Sequence, residues 1–288
     1  MKILYIGTYK EPSGWGEASR TDLLALSKQF DVVARPIVYS GGVSHPELEK
    51  LESKSIDGVT QVFQYCLPSE YDMYGRMPHY GYCEIESSDI TYSKWPEHFH
   101  KIAQLFVPNT DALELKSNSK VPIKYLPHAV NTSRFNGDYP TPKIKEANST
   151  FKFFCVAEAI PRKNLEGLIE AFYTEFDPNE PVSLIIKTNR NIDKMIEGVQ
   201  NKLRLYPNKV FYQKIIVISD RITEQQMLGL YQYCDCYVNA SMGESWCLPL
   251  VNAIGFNKLV VTTVGGGPID LVQNYDNAIL VNSAQTHC

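Results

Sequence analysis

The chain has 288 residues, of which 44% are hydrophobic and 21% are charged. These fractions are ordinary for globular proteins and exclude a mainly disordered or a fibrous chain. Lysine and arginine total 28 against 32 aspartate and glutamate residues, which gives a net charge of −4. The basic excess typical of nucleic-acid-binding proteins is missing, so we predict no nucleic-acid partner.

The N-terminal apolar run, residues 2–8, is too short for a signal peptide, and no run reaches the length of a membrane span. The cysteines are odd in number and lack the paired spacing of a metal site; they occupy positions 66, 83, 155, 234, 236, 247 and 288. We therefore predict reduced thiols in a cytoplasmic protein. Peripheral association with a membrane stays open.

In chain order, the first half alternates short apolar runs with one helical pattern. The runs predict strands at 2–8, 31–38, 59–65, 80–83, 104–107 and 123–126. A helix is expected over 17–30, and the polar stretch 40–58 carries no assigned element. Alternation of this kind favours a parallel sheet covered by helices.

A polar segment with two prolines and one glycine, within 131–150, interrupts the pattern and is typical of a linker. Afterwards the alternation restarts, with predicted strands at 151–156, 182–187, 214–219, 236–239, 259–262 and 278–281. The predicted helices between them cover 164–176, 192–205, 223–233, 249–255 and 268–273. We divide the chain into a first domain (1–135), a linker (136–149) and a second domain (150–288).

The predicted fold is thus α/β, with two doubly wound Rossmann-like domains facing a central cleft. Open parallel sheets bind ligands beyond the carboxyl ends of their strands. We therefore expect the catalytic and ligand-binding residues in the loops that follow strands. Four such loops carry glycines or charges.

Two of these loops are rich in glycine. Gly14 and Gly16 precede the first helix, where backbone N–H groups could approach an anion; a tight turn over Trp15 is the alternative. Residues 265–267 are three consecutive glycines before Pro268. They predict either an anion-binding nest or a flexible turn.

The other two loops are charged. Arg162 and Lys163 open a predicted helix, and together they could bind a diphosphate; a solvated basic turn is the alternative. Glu244 follows a strand in a glycine-containing turn, where it could accept hydrogen bonds from ligand hydroxyls or merely cap the next helix. Asn252 lies about two helical turns further on. The combination fits a nucleotide sugar, provided that the two cations are not neutralised by internal carboxylates.

Several segments resemble the retaining family-four glycosyltransferases of the GT-B fold (glycosyl transferases group 1). Residues 244–253 are similar to the family's "GESFGLPLLEA" signature, and residues 161–172 to "PRKNLxxLIEAF". In the first half the resemblance covers three further segments: Tyr80–Tyr82 with Glu86 and Trp95, then 107–109, then 126–131. The match runs in order along nearly the whole chain.

The resemblance assigns roles to individual residues. Arg162 and Lys163 would hold the donor diphosphate and stabilise the leaving group. Glu244 would contact hydroxyls of the donor sugar. Gly14 and Gly16 would let the backbone reach the donor phosphate and shape the acceptor side.

The resemblance also implies roles for four further residues. Ser245 and Asn252 join the donor contacts, and Glu86 would sit near the reacting carbon or the acceptor hydroxyl, a surface carboxylate being the alternative. His128 is better explained as a structural histidine than as a catalytic one. The family resemblance implies no metal and no other cofactor.

Three features depart from the family pattern. Asn252 replaces the second glutamate of E-x7-E, Glu158 replaces a frequent arginine, and the chain ends at Cys288, where relatives continue. A second subunit could cover that short C-terminus. These departures favour an alternative, a catalytically degenerate subunit that binds or scaffolds a partner.

We therefore predict a metal-independent glycosyltransferase that moves a sugar, with retention, from a nucleoside-diphosphate sugar to an unknown hydroxyl acceptor (glycan, lipid or protein). A nucleotide-sugar epimerase on the same fold ranks below the degenerate subunit.

Overall fold

The computed structural model describes residues 1–207 and 209–284 and divides into two compact units, with the boundary after Asn131. The boundary lies four residues before the predicted end of the first domain. Within the described ranges, no helix is both long enough and apolar enough to cross a membrane. Six cysteines are free and buried, and Cys288 lies outside the described residues.

Unit 1, residues 1–131, is built on one parallel sheet of six strands. The strands are β1 (Lys2–Gly7), β2 (Asp31–Pro36), β3 (Gln61–Tyr65), β4 (His79–Tyr82), β5 (Gln104–Val107) and β6 (Ile123–Tyr125). Their spatial order is β2-β1-β3-β4-β5-β6. Because the order reverses between β1 and β3, the carboxyl ends of these two strands form the topological switch point.

Two α-helices belong to unit 1: α1 (Gly14–Ser27) and α2 (Pro46–Glu52). Helix α1 begins three residues before the predicted start, because Ser13 caps it by accepting from the Gly16 N–H at 3.2 Å. Helix α2 lies inside the stretch left unassigned. Only Leu48 of its residues is buried, so it carried little apolar signal.

Unit 2, from residue 132, contains the second parallel sheet. Its strands are β7 (Phe151–Val156), β8 (Val182–Lys187), β9 (Ile215–Ile218), β10 (Cys236–Asn239), β11 (Leu259–Thr263) and β12 (Ala278–Val281). Its helices are α3 (Leu165–Glu175), α4 (Asp193–Leu205), α5 (Glu224–Tyr233), α6 (Leu248–Gly255) and α7 (Gly267–Val272). The order β12-β11-β10-β7-β8-β9 places the switch point between β7 and β10.

Successive residues of the central strands point into opposite cores, as the period of two requires. On β8, Ile185 belongs to the core on one face, whereas Leu184 and Ile186 belong to the core on the other. Burial on both faces explains the continuous apolar runs of these strands. The predicted fold class, two doubly wound Rossmann-like domains, is confirmed.

The predicted linker, 136–149, packs against α5 of unit 2. Tyr139 donates its backbone N–H to the Gln232 side chain at 3.1 Å, and Gln232 donates to the Gly137 carbonyl at 2.7 Å. The Tyr233 hydroxyl donates to the Ile144 carbonyl at 3.1 Å. The segment is therefore packed on unit 2 through these hydrogen bonds.

Candidate functional site

The basic pair Arg162-Lys163 lies in a 3-10 turn, Pro161–Lys163, between β7 and α3. Helix α3 begins only at Leu165, after Asn164 adopts the left-handed conformation at φ 50°. Asparagine tolerates this conformation better than most residues. The two cations therefore precede the helix instead of occupying its first turn, where they would oppose the helix dipole.

Main-chain contacts join this turn to the loop that follows β10. Met242 donates its N–H to the Arg162 carbonyl at 2.8 Å, and the Arg162 guanidinium donates to the Gly243 carbonyl at 2.6 Å. The Ser241 hydroxyl adds a bond to the Arg162 carbonyl at 3.2 Å. Because β7 and β10 are adjacent in the sheet, the two charged loops meet at the switch point of unit 2.

At this point Glu244 lies against both cations. Its Oε1 is 2.5 Å from Lys163 Nζ, and its Oε2 is 3.7 Å from the Arg162 guanidinium. The Glu244 side chain is 9% exposed, and those of Lys163 and Arg162 are 18% and 31% exposed. The residues predicted to serve different parts of the donor are thus paired with each other. The condition set for a donor site is therefore not fully met, because an internal carboxylate partly neutralises the two cations. One carboxylate against two cations leaves the cluster with a charge of +1.

The glycine loop before α7 fixes the backbone of Glu244. Gly267 donates its N–H to the Glu244 carbonyl at 3.0 Å. Gly266 has a φ of 62°, and a Cβ built on it would lie 2.3 Å from the Glu244 carbonyl oxygen. These glycines therefore permit close packing between two loops. The Gly267 N–H, one donor of the predicted anion nest, is already occupied.

Replacing Gly266 with alanine is expected to destabilise unit 2 by about 3 kcal/mol, because both the backbone conformation and the contact with Glu244 forbid a Cβ. Gly198, exposed in α4 with open space around its Cβ position, is the matched control. There alanine should stabilise by about 0.5–1 kcal/mol through its helix propensity. Urea unfolding of both variants checks the difference. Equal stabilities would contradict the packing role of Gly266.

Ser245 and Asn252, the other predicted donor contacts in unit 2, are both buried. The chain turns sharply between them, since Cys247 has a φ of 73° as the N-cap of α6. Asn252 lies on the buried side of that short helix. Glu158, the departure next to the basic turn, is exposed.

A shallow cavity of about 370 Å³ opens beyond the carboxyl ends of β7 and β8. Its lining residues are Ala159, Arg190, Asn191, Ile192, Lys194 and Met195. Nearby, the half-buried Lys187 at the end of β8 donates to the Thr188 carbonyl at 2.8 Å, and burial lowers the pKa of its ammonium group. The cavity lies in the same loop layer as the basic turn.

In unit 1 the two predicted glycines, Gly14 and Gly16, differ in exposure and in contacts. Gly14 is exposed as the first residue of α1. Gly16 is buried, its N–H is bound by the Ser13 hydroxyl, and a Cβ on it would lie 2.1 Å from the Glu11 carbonyl. Gly16 is thus required by packing, and its N–H is engaged by the cap.

Glu86 is exposed, beyond the end of β4. The carboxylate that the fold places in a network is Glu84, two residues earlier. Its Oε1 lies 3.2 Å from His128 Nε2, and it accepts a hydrogen bond from the Tyr65 hydroxyl. The role predicted for Glu86, beside the reacting carbon or the acceptor hydroxyl, stays a prediction.

His128 is fully buried between two carboxylates. Its Nδ1 is 2.7 Å from Asp22 Oδ2, opposite the contact with Glu84. Burial alone would lower the pKa of His128, but the hydrogen bonds to Asp22 and Glu84 outweigh it and raise that pKa to about 9. Asp22 also accepts the Ala129 N–H at 2.7 Å, which anchors the segment after β6. His128 is therefore a buried cation within unit 1.

Two six-stranded parallel sheets, each in a doubly wound unit, define a protein of the GT-B fold class. The profile of the glycosyl transferases group 1 family matches residues 141–287. The chain belongs to that family. Its predicted identification as a glycosyltransferase is thereby confirmed.

Solved structures share the fold at low identity. Anabaena HepE in complex with UDP-glucose is 14% identical, with a TM-score of 0.64 over 98% of this chain and 85% of that one. The E. coli trehalose-6-phosphate structure bound with UDP-2-fluoro glucose is 11% identical, with a TM-score of 0.65 over 98% and 88%. No curated protein sequence matches.

Proposed function

We propose that the protein transfers a sugar from a uridine-diphosphate sugar to a hydroxyl acceptor, with retention of anomeric configuration and without a metal ion. The observation that carries the proposal is the cluster of Arg162, Lys163 and Glu244 at the switch point of unit 2. Uridine is chosen because HepE and the E. coli structure are bound to UDP-glucose and UDP-2-fluoro glucose. Asn252 and Ser245 complete the donor side.

The ion pair between Lys163 and Glu244 is compatible with donor binding. An ammonium group has three N–H donors, so Lys163 can keep its bond to Glu244 while it donates to a phosphate oxygen. The net charge of +1 favours a diphosphate, and the bond to Glu244 holds the ammonium in place beforehand. Glu244 keeps acceptor capacity on its second oxygen for a sugar hydroxyl.

In the proposed reaction, the bond between the anomeric carbon and the distal phosphate oxygen breaks. The acceptor oxygen bonds to the same carbon on the same face, and its proton passes to the departing phosphate oxygen. Negative charge grows on the diphosphate as it leaves, where Arg162 and Lys163 stabilise it. The same two cations supply the neutralisation that a metal would otherwise give.

Titration calorimetry with UDP, GDP and ADP tests the donor side. We expect UDP to bind about tenfold more tightly than the other two, which corresponds to about 1.4 kcal/mol. Binding should persist in EDTA. If no nucleoside diphosphate binds, the proposed donor site is wrong.

Retention is tested separately. Incubation of UDP-glucose with the protein and a panel of hydroxyl acceptors, followed by proton NMR of the product, reports the anomer directly. An α-linked product from the α-linked donor is expected. A β-linked product would contradict retention.

A second candidate, a non-catalytic binding subunit, is favoured by the Lys163–Glu244 pair and by Asn252. It predicts UDP binding without turnover of UDP-glucose in any acceptor mixture. Calorimetry and the NMR assay on the same preparation separate the two candidates.

A further inference from the structure

The carboxyl edge of the unit 1 sheet carries aromatic rings across its switch point. Trp15, in the first turn of α1, follows β1, and Tyr65 is the last residue of β3. Their ring centroids are 6.1 Å apart, with the planes tilted by 57°. Since β1 and β3 flank the switch point of unit 1, these rings lie where open parallel sheets bind ligands.

A third ring extends this surface toward solvent. Tyr39, which follows β2 and is 48% exposed, stacks on Trp15 at 5.9 Å with the planes only 7° apart. At that separation the parallel rings are offset, so each leaves part of its face uncovered. We name Trp15 and Tyr39 the aromatic platform.

The platform is held in place by polar contacts behind it. The carboxylate of Glu11 accepts the backbone N–H of Tyr39 and both the hydroxyl and the N–H of Ser40, the last two at 2.7 and 3.1 Å. Glu11 is itself buried. A surface fixed in this way loses little conformational entropy when a ligand binds.

A carboxylate contacts the third ring of this group, Tyr65. The buried Tyr65 contacts Trp15 by its ring and donates its hydroxyl to Glu84. Glu84 is 25% exposed and is held from behind by His128 Nε2 at 3.2 Å. With His128 protonated, Asp22, Glu84 and His128 sum to −1, which disfavours an anionic ligand.

We infer that unit 1 binds a neutral sugar ring as the acceptor, with its C–H face on the Trp15–Tyr39 platform and a hydroxyl donating to Glu84. Aromatic faces suit the apolar C–H face of a pyranose, and a fixed carboxylate suits its hydroxyls. Phosphorylated sugars are disfavoured by the negative cluster. The inference rests on the proposed function, since it names the acceptor class of that reaction.

The test uses saturation-transfer NMR with maltose, cellobiose and glucose 6-phosphate, each with and without UDP. A serine-containing peptide and glycerol are the non-carbohydrate probes. We expect signals from a neutral disaccharide and none from glucose 6-phosphate. Tyr39→Ala and Trp15→Ala should raise the Kd of the disaccharide about tenfold. Calorimetry should show their affinity for UDP unchanged.

Tyr92→Ala is the matched control, because Tyr92 is a fully exposed tyrosine of the same unit. It should bind the disaccharide like the wild type. Equal disaccharide affinity in Tyr39→Ala and Tyr92→Ala would overturn the inference. A saturation-transfer signal from the peptide or glycerol, with none from the disaccharides, would overturn it as well. If UDP does not bind, the proposed function is overturned instead. The NMR measurements made without UDP would still decide which class of molecule unit 1 binds.

Discussion

Replacing Lys163 with alanine is expected to lower kcat/KM for sugar transfer about a hundredfold or more. The ammonium of Lys163 is the closest cation to Glu244, at 2.5 Å, and is proposed to stabilise the charge that develops on the leaving diphosphate. Loss of one such preorganised donor in other enzymes costs about 10²–10³ in rate. Steady-state kinetics with UDP-glucose, together with calorimetry for UDP, measure the effect.

The same substitution should also lower stability by about 1–3 kcal/mol. Among the described residues it leaves the 9% exposed Glu244 with Arg162 as its one paired cation, at 3.7 Å, and a buried carboxylate that loses its partner is destabilising. Lys202 is the matched control: it pairs with Glu170 at 2.6 Å on the surface of the same unit and is 60% exposed. Lys202→Ala should cost little in activity or stability.

Glu244→Gln separates the two possible roles of the ion pair. If Glu244 merely neutralises Lys163, removing its charge should leave transfer intact or improve it. We expect instead that UDP binds more tightly, because a competing negative charge is gone, while transfer falls, because a sugar contact is lost. Full activity in Lys163→Ala, or weaker UDP binding in Glu244→Gln, would contradict the assignment.

The site in unit 2 could be largely predicted from the sequence, because its residues sit in two short loops after apolar runs. The sequence could not show that these two loops are neighbours. That follows from the strand order, which places β7 beside β10 although the order along the chain separates them by two strands. The contact between Lys163 and Glu244 spans 81 residues and leaves no local pattern.

In unit 1 fewer of the contacts between polar side chains could be predicted from the sequence. Asp22 and His128 are 106 residues apart, and Glu84 comes from a third segment. No spacing rule connects such groups, so the sequence could not show that Glu84 contacts His128. Two glycines also have packing roles that the sequence could not show, for a related reason. Gly16 and Gly267 are explained by backbone atoms of other segments, at 2.1 and 2.2 Å from their Cβ positions.

The stability of unit 1 is expected to fall as the pH rises from about 6.5 to about 9. His128 ordinarily titrates near 6.5, and its contacts with Asp22 and Glu84 raise the pKa to about 9 in the folded protein. A raised folded-state pKa stabilises fully below the ordinary value and loses that stabilisation as the pH approaches the folded one. The shift corresponds to about 3 kcal/mol.

Replacing His128 with glutamine should remove this dependence and destabilise unit 1 by about 3–5 kcal/mol at pH 6, because two part-buried carboxylates would then lose the cation between them. Urea unfolding at pH 6, 7.5 and 9, followed by tryptophan fluorescence, measures both effects. His100→Gln is the control, since His100 is exposed in the same unit. Equal wild-type stability at pH 6 and 9, or an unchanged pH slope in His128→Gln, would show that His128 is not charged in the fold. A neutral His128 has a single N–H and could donate to Asp22 or to Glu84 but not to both, so Glu84 would lack the cation that holds it beside Tyr65.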